Sequence, residues 1–306
     1  MIESFTITNY LGESITLEMT RPETSGFAIK SVNGLGPPKA NINMTDTSTD
    51  DGSLFNSARA SNRNIVFELI FVDNDKRESI EELRHKTYKF FPLKKEVTIV
   101  IKTTNRMVQT VGYVESNEPS IFSSMEGAQI SILCPNSYFY SVENFGLASI
   151  KFSNIKPLFS FPFSNASLDE RLITFGEIVI VPNETLSYDG EVETGVIIRM
   201  HANGPVYNIR IHNITTNETM SIDTTKLQSM MNSDIRAGDY IIINTSMGNK
   251  SISLTRDGKS VNILNCLKKN TPWISLVKGN NEFSFEADNI ENLMISIQNK
   301  IVYEGI

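Results

Sequence analysis

Apolar and polar residues alternate with a period of two along most of this 306-residue chain, and this pattern constrains its fold more than any other feature. Successive side chains of a strand point to opposite faces, so the alternation predicts strands with one buried and one exposed face. The segments 4–8 and 14–19 alternate on either side of Gly12, which predicts an opening hairpin with this glycine at positive φ. A strand over 27–32 follows and ends before Pro37–Pro38, because proline cannot donate a ladder hydrogen bond.

One segment of the first half changes to a helical period. Between Asp75 and Phe91 the apolar residues recur at the spacing of a helix face. Glutamates crowd its first half and Arg or Lys its second half, an order that is favourable to the helix dipole. Either Asp75 or Ser79 is predicted to cap the N-terminus, and Pro92 to end the helix. The sequence thus predicts a mainly β chain with one principal helix.

The stretch from 45 to 64 is polar and rich in Ser, Thr, Asp and Asn. It follows an alternating segment over 39–44 and has few residues to bury, so we expect a long exposed excursion. A loop of this length inside a compact domain is uncommon and is usually functional or disordered. Leu54 and Phe55 are apolar residues within it, and we expect them to dock on a partner.

The second half reads as a succession of short strands with turn signals every 8–12 residues, which is typical of a β-sandwich. The strands over 195–202 and 206–213 are predicted to pair through the turn at 203–205. Asp257–Gly258 predicts a type I′ hairpin, and the segment 225–232 a short helical turn.

Charge and cysteine content exclude several classes of function. The formal net charge is −7, from 28 Lys and Arg against 35 Asp and Glu, and it is spread along the chain. Binding to nucleic acid or to an anionic membrane is therefore not expected. Cys134 and Cys266 are too few for a disulfide scaffold or a cysteine zinc site, and we expect buried free thiols. The sequence shows neither a secretory signal nor an apolar membrane span, so we expect folding in a reducing cytoplasm.

The three histidines are the first residues to test for chemistry. His85 lies on the charged helix, where we expect it to be solvated. Arg199 with His201, and Arg210 with His212, each share a face of strands that are predicted to be neighbours. Two histidines on paired strands are able to bind a metal or an anion. The alternative, which the sequence favours, is the polar outer face of a sandwich sheet.

The acidic run of Asp46, Asp50 and Asp51 has a faint likeness to a calcium loop. However, Gly52 comes one position late, and Ser57 stands where the twelfth-position glutamate belongs. Adventitious calcium is the most that this pattern predicts.

Trp273 is the only tryptophan of the chain. An exposed tryptophan is able to stack on a sugar ring, but a single one flanked by apolar residues is more often a core side chain. The chain contains no nucleophile motif, zinc-protease motif or dinucleotide-binding motif. We therefore predict no catalytic, cofactor-binding or metal-binding residues.

Segments spread over most of the chain, in order, resemble the distal tail protein family of long-tailed bacteriophages. They are the opening hairpin with the Gly36-Pro37-Pro38 turn, the polar excursion that leads to Asn64–Leu69, the helix that ends in Tyr88–Pro92, and the segments Cys134–Ser141 and Trp273–Phe283. Cys134–Ser141 is similar to the Cys-Pro-Asp-Pro-Tyr-type close of the family's N-terminal domain, with Asn136-Ser137 replacing Asp-Pro. Trp273–Phe283 is similar to the family's W-x-x-L-x-x-G-x-N strand pair.

The resemblance implies an N-terminal domain over 1–145 that closes into a six-fold ring at the end of the tail tube. It also implies a connector over 146–168 and a C-terminal galectin-like β-sandwich over 169–306. The excursion at 43–63 would correspond to the belt that grips the neighbouring subunit. Its proposed contact residues are Asp46, Asp50, Asp51, Leu54, Phe55 and Arg59.

The partners that the resemblance implies are copies of the chain itself, the tail tube protein, a hub or tape-measure-associated protein, and receptor-binding or baseplate proteins. The place is the tail tip of a virion, assembled in the host cytoplasm, and the role is structural rather than enzymatic. One alternative is a carbohydrate-binding adsorption protein that contacts the host cell wall through its sandwich, with Trp273 as the stacking residue. Another is the equivalent part of a phage-tail-like bacteriocin.

Overall fold

The structure is a computed structural model that describes residues 1–47, 51–74, 76–142, 147–157, 176–180 and 183–306. Contacts divide the chain into two units, Met1–Gly146 together with Val302–Ile306, and Leu147–Ile301. Each unit has its own hydrophobic core. The described chain is mainly β with one principal helix, which confirms the fold class that the alternation predicts.

The first unit is built from eleven strands and one helix. The strands are β1 (Ile2–Asn9), β2 (Ser14–Glu18), β3 (Phe27–Asn33), β4 (Ala40–Asp46), β5 (Ser53–Ala60), β6 (Arg63–Phe71), β7 (Glu96–Thr103), β8 (Met107–Ser120), β9 (Gly127–Cys134), β10 (Phe139–Ser141) and, from the C-terminal end, β25 (Val302–Tyr303). The helix is α1 (Ile80–Phe90).

Nine of these strands form one antiparallel sheet in the order β2-β1-β7-β8-β9-β6-β3, with β10 pairing both β8 and β25. The predicted opening hairpin is confirmed, and Gly12 at its turn has a φ of 82°. One face of the sheet is apolar and carries the core, where Phe5 meets Phe67 with ring centroids 5.3 Å apart.

Helix α1 begins with a capping box at Ser79. The Ser79 hydroxyl accepts a hydrogen bond from the Glu82 amide, and the Glu82 carboxylate accepts one from the Ser79 amide. These contacts lower the pKa of the Glu82 carboxyl, since they favour its charged form. The helix buries Leu83 and Thr87 against the sheet. Ser79 is therefore the cap, and the alternative cap, Asp75, lies outside the described residues.

The polar excursion is not the structureless loop that its composition suggests. The described part of it forms strands β4 and β5, which pair only with each other and make a separate two-stranded sheet. Side chains of Thr, Ser and Asn support the ladder here, as in the 2.6 Å hydrogen bond that Asn56 donates to Thr45. Composition misled the prediction because polar residues, here on both faces, pair in a regular hairpin together with the apolar residues between them.

The second unit consists of short strands and one short helix. The strands are β11 (Leu147–Lys151), β12 (Ser153–Pro157), β13 (Gly176–Ile180), β14 (Asn183–Tyr188), β15 (Thr194–Gly195), β16 (Ile197–Ala202), β17 (Tyr207–Asn213), β18 (Glu218–Ser221), β19 (Tyr240–Asn244), β20 (Ser251–Arg256), β21 (Lys259–Asn262), β22 (Ser275–Leu276), β23 (Gly279–Asp288) and β24 (Leu293–Lys300). The helix is α2 (Thr225–Met231), where the sequence predicts a helical turn.

Two sheets of this unit enclose one core and form a β-sandwich. The six-stranded sheet has the order β11-β24-β16-β19-β20-β21, and the four-stranded sheet has the order β14-β23-β17-β18. Apolar residues from both sheets meet in the core, where Phe152 and Phe285 pack with centroids 4.6 Å apart. The hairpin at Asp257–Gly258 is confirmed, with φ values of 50° and 76° at the two turn residues.

The predicted pairing of 195–202 with 206–213 is wrong. Strand β16 pairs β19 and β24 in the larger sheet, whereas β17 pairs β18 and β23 in the smaller one. The turn between them crosses from one sheet to the other. It is held by a hydrogen bond from the Asn203 amide to the Asn292 carbonyl, 2.7 Å, and by another from the Asn292 side chain to the Pro205 carbonyl, 3.2 Å. Alternation marks both strands but does not say which strands are neighbours.

The two ends of the second unit differ from the extents drawn from the sequence. The described part of the segment 146–168, residues 147–157, forms β11 and β12, where the sequence predicts an extended connector. At the other end, Val302–Ile306 belong to the first unit, because Tyr140 pairs with Val302. Both cysteines are buried and free, as predicted, and burial raises the pKa of each thiol.

Candidate functional site

The hairpin of β4 and β5, which we call the arm, carries its larger apolar side chains mainly on one face. Cross-strand partners of a hairpin point to the same side. Three successive pairs on one side are apolar: Ala40 with Ala60, Ile42 with Ala58, and Met44 with Phe55. We call these six residues the apolar face of the arm. The opposite side carries the pairs Asn41 with Arg59, Asn43 with Ser57, and Thr45 with Leu54.

The apolar face has no cover within the described chain. Ile42, Met44 and Phe55 are 55%, 54% and 64% exposed. A two-stranded hairpin alone is marginally stable in water and needs packing on one face. Contiguous exposed apolar surface on a soluble protein marks a contact site for another molecule. The apolar face of the arm is therefore the candidate contact surface of the first unit.

The base of the arm, unlike the exposed strands that extend from it, is held by hydrogen bonds to the rest of the first unit. The Ser61 amide donates to the Lys39 carbonyl at 2.8 Å, which closes the hairpin. The Ser137 hydroxyl donates to the Ser61 carbonyl at 2.8 Å and ties the hairpin to the loop before β10. Gly34, where β3 leads towards the arm, has a φ of 86°, and a Cβ there would lie 1.9 Å from the Asn64 carbonyl oxygen. Only glycine fits this entry to the arm.

Arg63 is the buried centre of this base. Its guanidinium donates hydrogen bonds to four backbone carbonyls, those of Gly34, Gly36, Ser137 and Glu304. It also lies 4.1 Å from the centroid of the Phe139 ring. Burial lowers the pKa of the guanidinium, which nonetheless stays charged at any physiological pH. One side chain thus joins the entry of the arm, the loop before β10 and the C-terminal tail.

The C-terminal tail adds a second contact to the same entry. The Ile306 amide donates to the Leu35 carbonyl at 3.1 Å. A cavity of about 200 Å³ opens beside this contact, at the base of the arm. Five of its eight lining residues are apolar, namely the three alanines of the apolar face and Pro37–Pro38, and the others are Tyr138, Arg59 and Glu304. We call this cavity the hollow.

The structure separates the two apolar residues that the sequence singles out. Phe55 lies on the apolar face, whereas Leu54 lies on the polar side and is 61% exposed. Asp46 ends β4 and accepts a hydrogen bond from the Ser53 hydroxyl at 2.7 Å. Asp51 is exposed just before β5, Arg59 lines the hollow, and Asp50 lies outside the described residues.

Sequence reasoning missed Ile42, Met44 and the two alanines Ala58 and Ala60 as parts of this surface. The signal was present, because Ala40, Ile42 and Met44 stand at alternate positions. Small residues such as alanine carry little weight in a hydrophobic pattern, and the β-bulge after Asn43 shifts the alternation of β5.

The histidines of the second unit do not form a site together. His201 stacks on Tyr240, with ring centroids 4.3 Å apart, on the larger sheet. His212 bonds the Thr219 hydroxyl at 2.9 Å and lies 3.6 Å from the Glu286 carboxylate on the smaller sheet. In the part of the chain that the structure describes, no three His, Cys, Asp or Glu residues are grouped to hold a metal ion.

Trp273 packs partly buried against the core of the second unit. The ammonium group of Lys250 lies 5.5 Å from its ring centroid. The ring therefore has one side in the core and a cation beside it, and this arrangement favours a structural role. Among the described residues, none of the helices has the length and apolar character of a membrane span.

No protein-family model matches this chain, and neither does any curated protein. Solved structures do match. The SPP1 Dit (gp 19.1) protein, described as a paradigm of the hub adsorption apparatus in phages that infect Gram-positive bacteria, is 11% identical and superposes with a TM-score of 0.61 over 97% of this chain and 99% of that chain. The chain has a Dit-like fold.

Two structures of the phage P2 baseplate in its activated conformation match less closely. The one with Ca has a TM-score of 0.47 and 13% identity over 98% of both chains. The one with Sr has a TM-score of 0.44 and 13% identity over 97% of both chains. The likeness to SPP1 Dit, which has the higher TM-score, by itself extends over nearly the whole of this chain.

Proposed function

We propose that this chain is a structural protein of a phage tail tip that assembles with copies of itself through the arm. The observation that carries the proposal is an amphipathic two-stranded hairpin whose apolar face is exposed, held rigidly at its base on a chain with a Dit-like fold. Burial of this face by a neighbouring copy would stabilise both the hairpin and the assembly.

The assembly that we propose is a six-fold ring. Contact between an arm and a different surface of the next copy is heterologous, and heterologous contacts close into rings when the rotation allows it. The ring would stand at the distal end of the tail tube, join the tube to the hub or baseplate, and carry receptor-binding proteins on its second units. The likeness to a hub adsorption protein supports this place in a virion.

The same features support a structural rather than a catalytic role. The apolar face and the rigid base of the arm have the make-up of a protein interface, with apolar centre and polar margin. A bacteriocin particle that resembles a phage tail would use the same ring, so the proposal covers both kinds of particle.

The test is to measure the mass of the purified protein by sedimentation velocity, with and without the arm. In the arm-free variant an Asn-Gly turn replaces residues 41–59, so that Ala40 and Ala60 remain joined as a short hairpin. We expect hexamers or multiples for the natural chain and monomers for the variant. Thermal unfolding is the control, and both proteins should unfold at nearly the same temperature.

A natural chain that stays monomeric, both alone and with its tail tube partner, would refute the proposal. An arm-free variant that still assembles into rings would leave the ring standing but refute the role of the arm.

A further inference from the structure

The loop between β8 and β9 ends in a second exposed apolar group, far from the arm. Phe122 is 98% exposed, and Ile121 and Met125 beside it are also exposed. Phe122 has a φ of 67°, a conformation that a bulky L residue rarely adopts. Backbone in such a conformation persists where the surrounding structure fixes it, and this is a reason to look for a function.

The loop is held by hydrogen bonds and by one ion pair. The Ser123 hydroxyl donates to the Met125 carbonyl at 2.5 Å, and the Gly127 amide donates to the Ser120 hydroxyl at 3.0 Å. Glu126 anchors the loop to the rest of the unit, because its carbonyl accepts from the Phe71 amide and its carboxylate pairs with Arg84 at 2.8 Å. The loop therefore presents Phe122 to solvent from a fixed support.

The hollow at the base of the arm has the size and lining to receive such a ring. Its volume is about 200 Å³ and its lining is mostly alanine and proline. An apolar cavity of about 150 Å³ is large enough to bind benzene. The volume of the hollow is therefore sufficient for a phenylalanine ring, and the small alanine side chains of the apolar face border this space.

Loop and hollow lie at opposite ends of the same strands. Strands β6 and β9 pair Ile70 with Gly127 at the end that carries the loop, and Arg63 with Cys134 at the end that carries the arm. Since β6 has nine residues, the two ends are roughly 25–30 Å apart. A chain cannot place Phe122 in its own hollow, but a head-to-tail neighbour can.

The charges around the two surfaces are complementary. Lys39 and Arg59 stand at the arm base against the single carboxylate of Glu304. A second groove lies beside the loop. It is lined by the exposed Glu118 and by Lys30 and Glu68, which form an ion pair and so neutralise each other's charge. The arm base is thus net positive where the loop is net negative, which favours contact of one with the other.

From these features we infer that Phe122 of one copy inserts into the hollow at the arm base of the next copy. The contact would fix the direction of assembly, because it joins two different surfaces. This inference rests on the proposed ring, and it names the two surfaces that would close the ring.

Cross-linking of engineered thiols tests the contact on the full chain. The variant carries both Phe122→Cys and Ala58→Cys, and it is treated with a short bis-maleimide reagent. The natural cysteines are both buried, so the unsubstituted chain should give no product. We expect a ladder of covalent oligomers from the double variant. A mixture of the two single variants should give covalent dimers and nothing larger, since each chain then carries one thiol.

Assembly of Phe122→Ser provides a second readout, with Met247→Ser as the matched control. Met247 is as exposed as Phe122, at 94%, but it lies in the second unit. We expect Phe122→Ser to lower the fraction of assembled protein at least tenfold and to leave the unfolding temperature unchanged. Met247→Ser should assemble as the natural chain does. Filling the hollow with Ala58→Phe should block assembly in the same way.

The outcomes separate this inference from the proposed function. A natural chain that never assembles would overturn both. If the Phe122→Ser variant assembles into rings normally and the double cysteine variant gives no ladder of covalent oligomers, the inference is overturned and the proposed ring is unaffected. Covalent dimers from Phe122→Cys alone would show a two-fold contact between loops and would also overturn it.

Discussion

The opening hairpin β1–β2 and the arm share one sequence pattern, but their apolar residues are buried in the first and mostly exposed in the second. Both are antiparallel hairpins of the first unit with apolar residues at alternate positions. In the opening hairpin, Phe5 pairs with Leu17 and Ile7 with Ile15, and all four are buried. In the arm, the residues of the matching face are mostly exposed.

The difference between these hairpins lies in what covers them, not in their own sequence. The opening hairpin extends a nine-stranded sheet and shares its core, whereas β4 and β5 of the arm pair only with each other among the described strands. An apolar face that the chain does not cover is a surface for another molecule. The comparison therefore predicts opposite results for substitution in the two hairpins, large effects on folding in one and on assembly in the other.

The largest effect should come from Phe5→Ala in the opening hairpin. The substitution removes a fully buried ring that packs on Phe67 and leaves a cavity. We expect a loss of about 3–5 kcal/mol in the free energy of unfolding. Urea unfolding measures it, and a loss below about 1 kcal/mol would break the contrast between the hairpins.

A somewhat smaller effect should follow from Arg63→Met at the base of the arm. The variant leaves four backbone carbonyls without their donor, although it keeps much of the packing volume. We expect a loss of about 3 kcal/mol in the free energy of unfolding, together with faster hydrogen exchange at the amides of Ser61 and Ile306, which donate hydrogen bonds at this base. Unchanged exchange at these two amides would show that Arg63 does not hold the base.

Trp273→Ala tests a residue of the second unit that has one side in a core and one side outside it. We expect a loss of about 2 kcal/mol in the free energy of unfolding, since the ring is only partly buried. Binding of the protein to host cell-wall polysaccharide is measured with the same variant. If binding is lost while stability is unchanged, the carbohydrate-binding alternative gains over the structural role of this tryptophan.

The smallest effect on stability, and a decisive one on assembly, should come from Phe55→Ser. Phe55 is exposed in the monomer, so the free energy of unfolding should change by less than about 0.5 kcal/mol. Assembly should nevertheless fail, because the apolar face loses its largest ring. Leu54→Ser is the matched control from the other side of the arm, and it should assemble normally. Equal behaviour of the two variants in sedimentation would show that the face of the arm does not matter.

The sequence predicts those parts of the fold whose causes are local. The turn at Gly12, the helix that begins after Ser79 (one of the two predicted caps) and the hairpin at Asp257–Gly258 depend on residues within a few positions of one another. The sequence therefore predicts their type correctly and their bounds to within a few residues. The buried thiols follow in the same way from their apolar neighbours.

The parts that depend on distant partners could not be predicted. Strands β16 and β17 are adjacent in the chain, but their partners β24 and β23 come about 70–100 residues later, and no local pattern reveals this. The tail at Val302 returns to a strand that begins at Phe139, for the same reason.

The composition of the sequence predicts where the candidate site lies in the chain, but it does not predict how that segment folds. In the described part of 45–64, apart from the buried Arg63, the polar composition correctly indicates a mostly exposed segment, and Phe55 was singled out. The faces of the arm were not visible, because they depend on the register of β4 against β5 and on the bulge after Asn43. Leu54 and Phe55 are neighbours in sequence and therefore point to opposite sides.

The measurement that tests the central claim most directly is an electron cryo-microscopy reconstruction of the assembled protein. The account predicts a closed ring of six copies in which Ile42, Met44 and Phe55 of each arm are covered by the first unit of the next copy. A ring in which these three side chains remain in solvent would contradict it.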